Sequence, residues 1–212
     1  MKLRIAAIAA ATILAACAQE APPADTAADA APATEAAAAA PTDAGQLACV
    51  PQRDPADRAS PYDSVRIDLG GREALVCYGR PSARGRTMIG GDAVPYGRLW
   101  RTGANEPTIL HLGFPASVAG IDAEPGSYSL YTIPGDTEWT VILNRSIDQW
   151  GHESSYTADV EAQEVGRSTV PAGSTAAHVE QFTIGAEPVD DDSANLVLEW
   201  ENVRILLPLR AR

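Results

Sequence analysis

Ser64-Val65-Arg66-Ile67-Asp68-Leu69-Gly70-Gly71-Arg72-Glu73-Ala74-Leu75-Val76-Cys77-Tyr78 decides the fold class. Ser64 to Leu69 and Glu73 to Tyr78 read as two strands with a period of two. Gly70-Gly71 between them supplies the positive φ that a two-residue hairpin turn requires. The same pattern recurs along the chain. Ser127 to Ile133 alternates Tyr128, Leu130 and Thr132 against Ser127, Ser129 and Tyr131, and the turn residues Pro134-Gly135-Asp136 follow. Glu138 to Asn144 then sets Trp139, Val141 and Leu143 on one face, which completes a second hairpin. Further strands fit Pro107 to Leu112, Val179 to Ile184, Ala194 to Glu201 and Val203 to Leu209. Many short strands separated by turn signals, with few stretches able to form a long helix, predict an all-β domain. Its expected form is an antiparallel β-sandwich or a partly closed barrel.

Upstream of this domain the chain changes character twice. Residues 1–16 open with Lys2 and Arg4 and continue as an apolar Ala/Ile/Leu run, the build of a secretory signal. About twelve apolar residues are too few for a bilayer core that needs roughly 20 as a helix. The run ends in Leu14-Ala15-Ala16-Cys17, which resembles the lipobox of bacterial lipoproteins and predicts lipidation of Cys17. The alternative is an ordinary signal peptide and a soluble periplasmic protein. Ala18, where an Asp would favour retention at the inner membrane, points to the outer membrane, facing the periplasm. The expected partner at this end is therefore the membrane itself, through the N-terminal lipid. From residues 17–46 the chain is almost wholly Ala, Pro, Thr, Asp and Glu, without aromatic or basic residues. Such a segment buries too little apolar surface to offset its ordering entropy. It reads as a disordered tether with an r.m.s. span on the order of 30 Å. Residues 47–212 then form a single domain.

The formal net charge of -12 opposes nucleic-acid binding, which needs a basic face. Apart from Cys17 the cysteines are Cys49 and Cys77. In an oxidising compartment such a pair usually becomes a disulfide, worth about 3 to 4 kcal/mol in the chain-entropy model, the alternative being two free buried thiols. Two cysteines are too few ligands for a metal site. His111, His152 and His178 have no ligand spacing, and no metal or cofactor motif occurs.

Between Gly79 and Glu106 the alternation stops. Arg80, Arg84, Arg86, Arg98 and Arg101 concentrate positive charge in an acidic chain, beside Tyr96, Trp100, Asn105 and Glu106. Long irregular stretches inside compact domains are often binding loops. Guanidinium groups suit carboxylate or phosphate, and Trp100 or Tyr96 offers a flat face to a sugar ring. The competing reading is structural, with the arginines pairing to carboxylates such as Asp92, Glu106 and Glu199 or to loop carbonyls.

This stretch carries a resemblance. Tyr78-Gly79-Arg80-Pro81, Arg84-Gly85-Arg86, Pro95-Tyr96-Gly97 and Trp100-Arg101-Thr102-Gly103-Ala104-Asn105-Glu106 resemble the domain-of-unknown-function 2911 family. So do Pro125 to Leu130, Trp139 to Asn144, Asp148-Gln149-Trp150-Gly151 and the closing Leu196 to Glu201. The resemblance runs from about Ser60 to the end of the domain, and it implies an exported bacterial protein with a β-rich domain and no assigned activity.

Three functions follow as expectations. The first is a lipid-anchored module binding an anionic small molecule or a sugar-like envelope glycan through Arg80, Arg84, Arg86, Trp100, Arg101, Asn105 and Glu106. The second is a hydrolase or lyase using Glu106 as acid or base. The third is a structural envelope protein acting by protein contacts. The leaning is towards a non-enzymatic binding role.

Overall fold

The computed structural model describes residues 46–212; the signal segment, Cys17 and nearly all of the expected tether lie outside the described residues. The chain is nearly all β. Strands β1 (Tyr62–Leu69) and β2 (Arg72–Gly79) form the expected hairpin, in unbroken register from Tyr62 opposite Gly79 to Leu69 opposite Arg72. Gly70 and Gly71 take φ of 61° and 85°, which is what a two-residue turn between them demands. Next come β3 (Thr108–Leu112), the short β4 (Ala116–Val118) and β5 (Ile121–Ala123), β6 (Gly126–Ile133) and β7 (Glu138–Asn144). After a 3₁₀ turn (Glu153–Ser155) and one helical turn, α1 (Ala158–Glu161), the chain ends in two long strands, β8 (Glu164–Asp190) and β9 (Ser193–Ala211).

All nine strands belong to one open antiparallel sheet in the order β1-β2-β3-β6-β7-β8-β9-β4-β5. Strand β8 joins its halves, since residues 164–171 pair with β7 and residues 172–190 with β9. The register slips between Ser174 and Val179 and again before Thr183, and opposite them Glu201 takes a φ of 53°. Bulges of this kind bend a strand and raise its twist. Side chains from both halves, including Tyr78, Leu110, Leu130, Trp139, Ile184, Leu198 and Leu207, consequently enter one core. The sheet folds over on itself.

Where the two halves meet beside β2, Ala83 N–H donates to Glu180 O (2.9 Å) and Phe182 N–H to Pro81 O (2.9 Å). Further along the same edge a side chain takes the place of a strand. The Tyr78 hydroxyl accepts from Ile184 N–H (3.0 Å) and donates to Ile184 O (3.3 Å). Burial raises the pKa of this hydroxyl and keeps it protonated for both bonds.

One expectation about the elements needs correction. Ala194 to Glu201 and Val203 to Leu209 form one bent strand, because the backbone bulges at Glu201 without leaving the ladder. The Gly/Ser/Thr/Ala-rich stretch from Gly166 to Ala177 lies within β8. Strands β4 and β5 are each three residues long, too short for alternation to register. Both faces of β6 are covered, since Tyr128 through Thr132 are all buried. The second face is covered by the segment after β7. Tyr131 packs edge-on to Tyr156 (4.8 Å between centroids), its hydroxyl accepts from Gln149 Nε2 (2.7 Å), and Ser129 Oγ donates to Ser146 O (2.8 Å).

Cys49 and Cys77 form a disulfide, with Cα atoms 5.7 Å apart. It ties the segment preceding β1 to the fully buried end of β2.

Candidate functional site

The arginines of the irregular segment do not converge. Arg80 pairs with Asp63 (2.9 Å) and donates to Phe182 O (3.3 Å) and Thr183 Oγ1 (3.0 Å), finishing the seam between β2 and β8. Arg84 sits at a φ of 53°, with its backbone N–H on Glu180 Oε1 (2.6 Å) and its guanidinium on Ala59 O (3.1 Å). Arg86 closes its own turn on Ala83 O (3.0 Å) and Ser82 O (3.2 Å). These three hold loops together through carbonyls and carboxylates. Arg98 is exposed and has no ion-pair partner among the described residues.

Trp100 belongs to the core. It stacks on Trp200 (5.8 Å, 19°) and meets Trp139 and Phe182 edge-on, at 6.0 Å and 5.1 Å. Its Nε1 donates to Gly103 O (3.2 Å). Around it the string Trp100 to Glu106 is tightly knit. Thr108 Oγ1 donates to Thr102 O (2.6 Å), and Thr102 Oγ1 bonds Thr132 Oγ1 (3.1 Å). Thr102 and Asn105 take left-handed φ of 58° and 69°. Asn tolerates this region; a β-branched Thr rarely does, at a cost of order 1–3 kcal/mol that its surroundings must offset. Two glycines from other motifs admit the string. A Cβ on Gly79 would strike Ala104 O, and one on Gly151 would lie 2.5 Å from Asn105 O and 2.9 Å from Glu106 C.

This packing leaves an open pocket of about 170 Å³ lined by Trp100, Trp200, Met88 and Val94, with Arg101, Gly103, Ala104 and Asn105 on its polar side. None of its lining residues is acidic. Glu201 fixes the Met88 wall, its carboxylate accepting from the backbone N–H of Met88 (3.0 Å) and Ile89 (2.8 Å). Arg101 donates to Asn105 O (3.1 Å) and reaches Glu153 only at 3.7 Å, so its five N–H donors are under-used. Asn105 Nδ2 is buried without any hydrogen-bond partner in the structure.

Asn105 and its neighbour Glu106 line different cavities. Glu106 is 1% exposed; Oε2 accepts from Arg58 Nη1 (2.8 Å) and Oε1 from Gln52 N–H (3.3 Å). With both oxygens engaged, it serves here as the buried half of an ion pair. Glu106 also lines a second cleft, of about 490 Å³, with Tyr62, His111 and Asp148. Burial, and then the Glu106 carboxylate, push the Tyr62 hydroxyl up to about 12 against the opposing pull of Arg58. Burial holds His111 below its ordinary value of 6.5. A shallower groove of about 630 Å³ runs between Asp92 and Arg98 on one side and His152 and Glu153 on the other. Among the described residues no group of His, Cys, Asp and Glu is arranged to hold a metal ion.

Of the residues singled out from sequence, Trp100, Arg101 and Asn105 share one cavity, Glu106 faces another, and Arg80, Arg84 and Arg86 are held elsewhere. Trp200, Met88, Arg58, Tyr62 and His111 were not legible as site residues. Arg58 carries no local pattern and meets Glu106 across 48 positions. Trp200 reads as one more apolar position of an alternating strand.

No curated protein and no solved structure matches this chain. The family model described as "Protein of unknown function (DUF2911)" matches residues 60–209, from the approach to β1 to the end of β9. That match covers nearly the whole β domain, and the chain belongs to the DUF2911 family.

Proposed function

We propose that this chain is a lipid-anchored cell-envelope protein whose domain binds a compact carboxylate with an apolar body in the cavity of Trp100, Arg101, Asn105 and Trp200. The observation that carries the reading is Asn105 Nδ2, a buried donor without a partner, beside an Arg101 guanidinium with unspent N–H groups. An unsatisfied buried donor costs about 1–3 kcal/mol, which an acceptor from a ligand would return. A carboxylate suits these two donors, and the indole walls suit an apolar body. At roughly 30 Å³ per water-sized group, the cavity takes on the order of six such groups, so the ligand is small. The net charge of -12 opposes long-range capture of anions, but screening confines that effect to about 8 Å at physiological salt. The lipid anchor rests on the signal segment and on Leu14-Ala15-Ala16-Cys17, and mass spectrometry of the mature N-terminus tests it; the outer membrane rests on Ala18.

The binding test is a titration of the full chain with isobutyrate and benzoate, followed through tryptophan fluorescence, with isobutyramide and benzamide as uncharged controls. Asn105→Gly keeps the left-handed backbone and removes the amide. Saturable binding of the acids, weakened roughly tenfold in Asn105→Gly and in Arg101→Met, is the expected result. Equal binding of acids and amides, or acid binding indifferent to both substitutions, overturns the proposal.

A further inference from the structure

The cleft beside Glu106 shares no lining residue with the Trp100 pocket, and it stands independently of that reading. One wall is a strap, the chain from Leu47 to Arg58, which is largely exposed and held by polar bonds instead of core contacts. The disulfide pins it at Cys49, and Gln52 Nε2 donates to Ile147 O (3.0 Å) and Gln149 O (3.0 Å). Arg53 lies 4.0 Å over the Trp150 ring, and Arg58 reaches Glu106. The opposite wall comes from β1 and β3 through Tyr62, Ile109 and His111. At about 490 Å³ the space is within the range of small-molecule sites.

Its electrostatics select the ligand. Among the described residues no free cation lines the cleft. Arg58 is spent on Glu106, Asp54 O and Arg53 O, and burial keeps His111 neutral near pH 7. Carboxylates of Glu106 and Asp148 line it, which disfavours an anion. Nor does it offer a strong cation site, because Glu106 is already neutralised by Arg58 and Asp148 is exposed, where water screens it. What remains is uncharged hydrogen bonding. Tyr62 keeps its proton and donates, His111 uses Nδ1 on Ser127 Oγ (2.7 Å) and keeps Nε2, and Asp148 accepts. Ile109 and Ile147 supply apolar surface between these groups.

We propose that this cleft is a second ligand site, which takes an uncharged, hydroxyl-rich ring such as a saccharide unit beneath the strap. Hydroxyls meet Tyr62, His111 and Asp148, and the C–H faces of the ring lie on Ile109 and Ile147. The test is saturation-transfer NMR on the full chain with N-acetylglucosamine and its β-1,4-linked disaccharide, with propylamine and benzoate as charged probes. Saccharide signals are expected to titrate, and Tyr62→Phe and His111→Ala should each weaken binding roughly fivefold or more, the worth of one hydrogen bond. Benzoate should not displace the saccharide, which separates this site from the carboxylate cavity. Tyr62→Phe removes a single hydroxyl, and its thermal unfolding, compared with that of the parent, shows whether the fold survives. The proposal fails if neither saccharide binds, if binding persists undiminished in both variants, or if propylamine displaces the saccharide and loses its own binding in Asp148→Asn.

Discussion

Arg58 and Glu106 form an ion pair at 2.8 Å, with side chains 8% and 2% exposed. Removing one partner of such a pair leaves a charge stranded away from water. Arg58→Met should therefore cost about 3–5 kcal/mol, the range found when one partner of a buried pair is removed. Glu106→Gln keeps the shape and an acceptor while weakening a charged hydrogen bond, and should cost about 1.5–3 kcal/mol. In the double variant no charge is stranded, so the combined loss should fall short of the sum by about 2 kcal/mol. At roughly 2–4 °C per kcal/mol for a domain of this size, Arg58→Met lowers Tm by about 6–20 °C. Urea unfolding of the four proteins under oxidising conditions measures the cycle. Additivity within about 0.5 kcal/mol would refute the reasoning, because it would mean that Glu106 does not depend on Arg58 for its burial.

The disulfide closes a separation of 28 residues, worth about 3.6 kcal/mol in the chain-entropy model, so Cys49→Ala/Cys77→Ala should lower the unfolding free energy by that amount, read by urea unfolding as a lower midpoint and a larger m-value from the freed unfolded chain. Gly151→Ala places a methyl group 2.5 Å from Asn105 O; it should cost about 1–3 kcal/mol by calorimetry and abolish benzoate binding, since both donors of the cavity are displaced. Burial raises Glu164, but hydrogen bonds from Arg167 and Tyr156 outweigh it and hold the carboxyl below its ordinary value of 4.5. A depressed carboxyl contributes stability above its unfolded value and loses it as pH falls through the folded one, so Tm should drop below about pH 4.5, and Glu164→Gln should flatten that limb of the Tm–pH curve.

The sequence alone determined the local elements. Alternation marked β1, β2, β6 and β7 close to their observed limits, Gly70-Gly71 marked the turn, and composition marked Cys49 and Cys77 as a pair. All of these depend on near neighbours or on counting. It also marked residues 79–106 as exceptional and left the charge there open between a ligand and internal pairing; the folded chain spends Arg80, Arg84 and Arg86 on its own carbonyls and carboxylates. The tertiary structure decided which faces were covered. The segment after β7 buries the second face of β6, so polar Ser129 sits inside on a hydrogen bond to Ser146 O, while Thr132, on the opposite face, is buried on Thr102. It also decided that Asn105 and Glu106, adjacent in the chain, line separate cavities. Periodicity records the side of a strand that meets the core, a property of a few consecutive residues. The partner of a charge depends on the path of the whole chain, and only that path brings Arg58 to Glu106 and Trp200 onto Trp100.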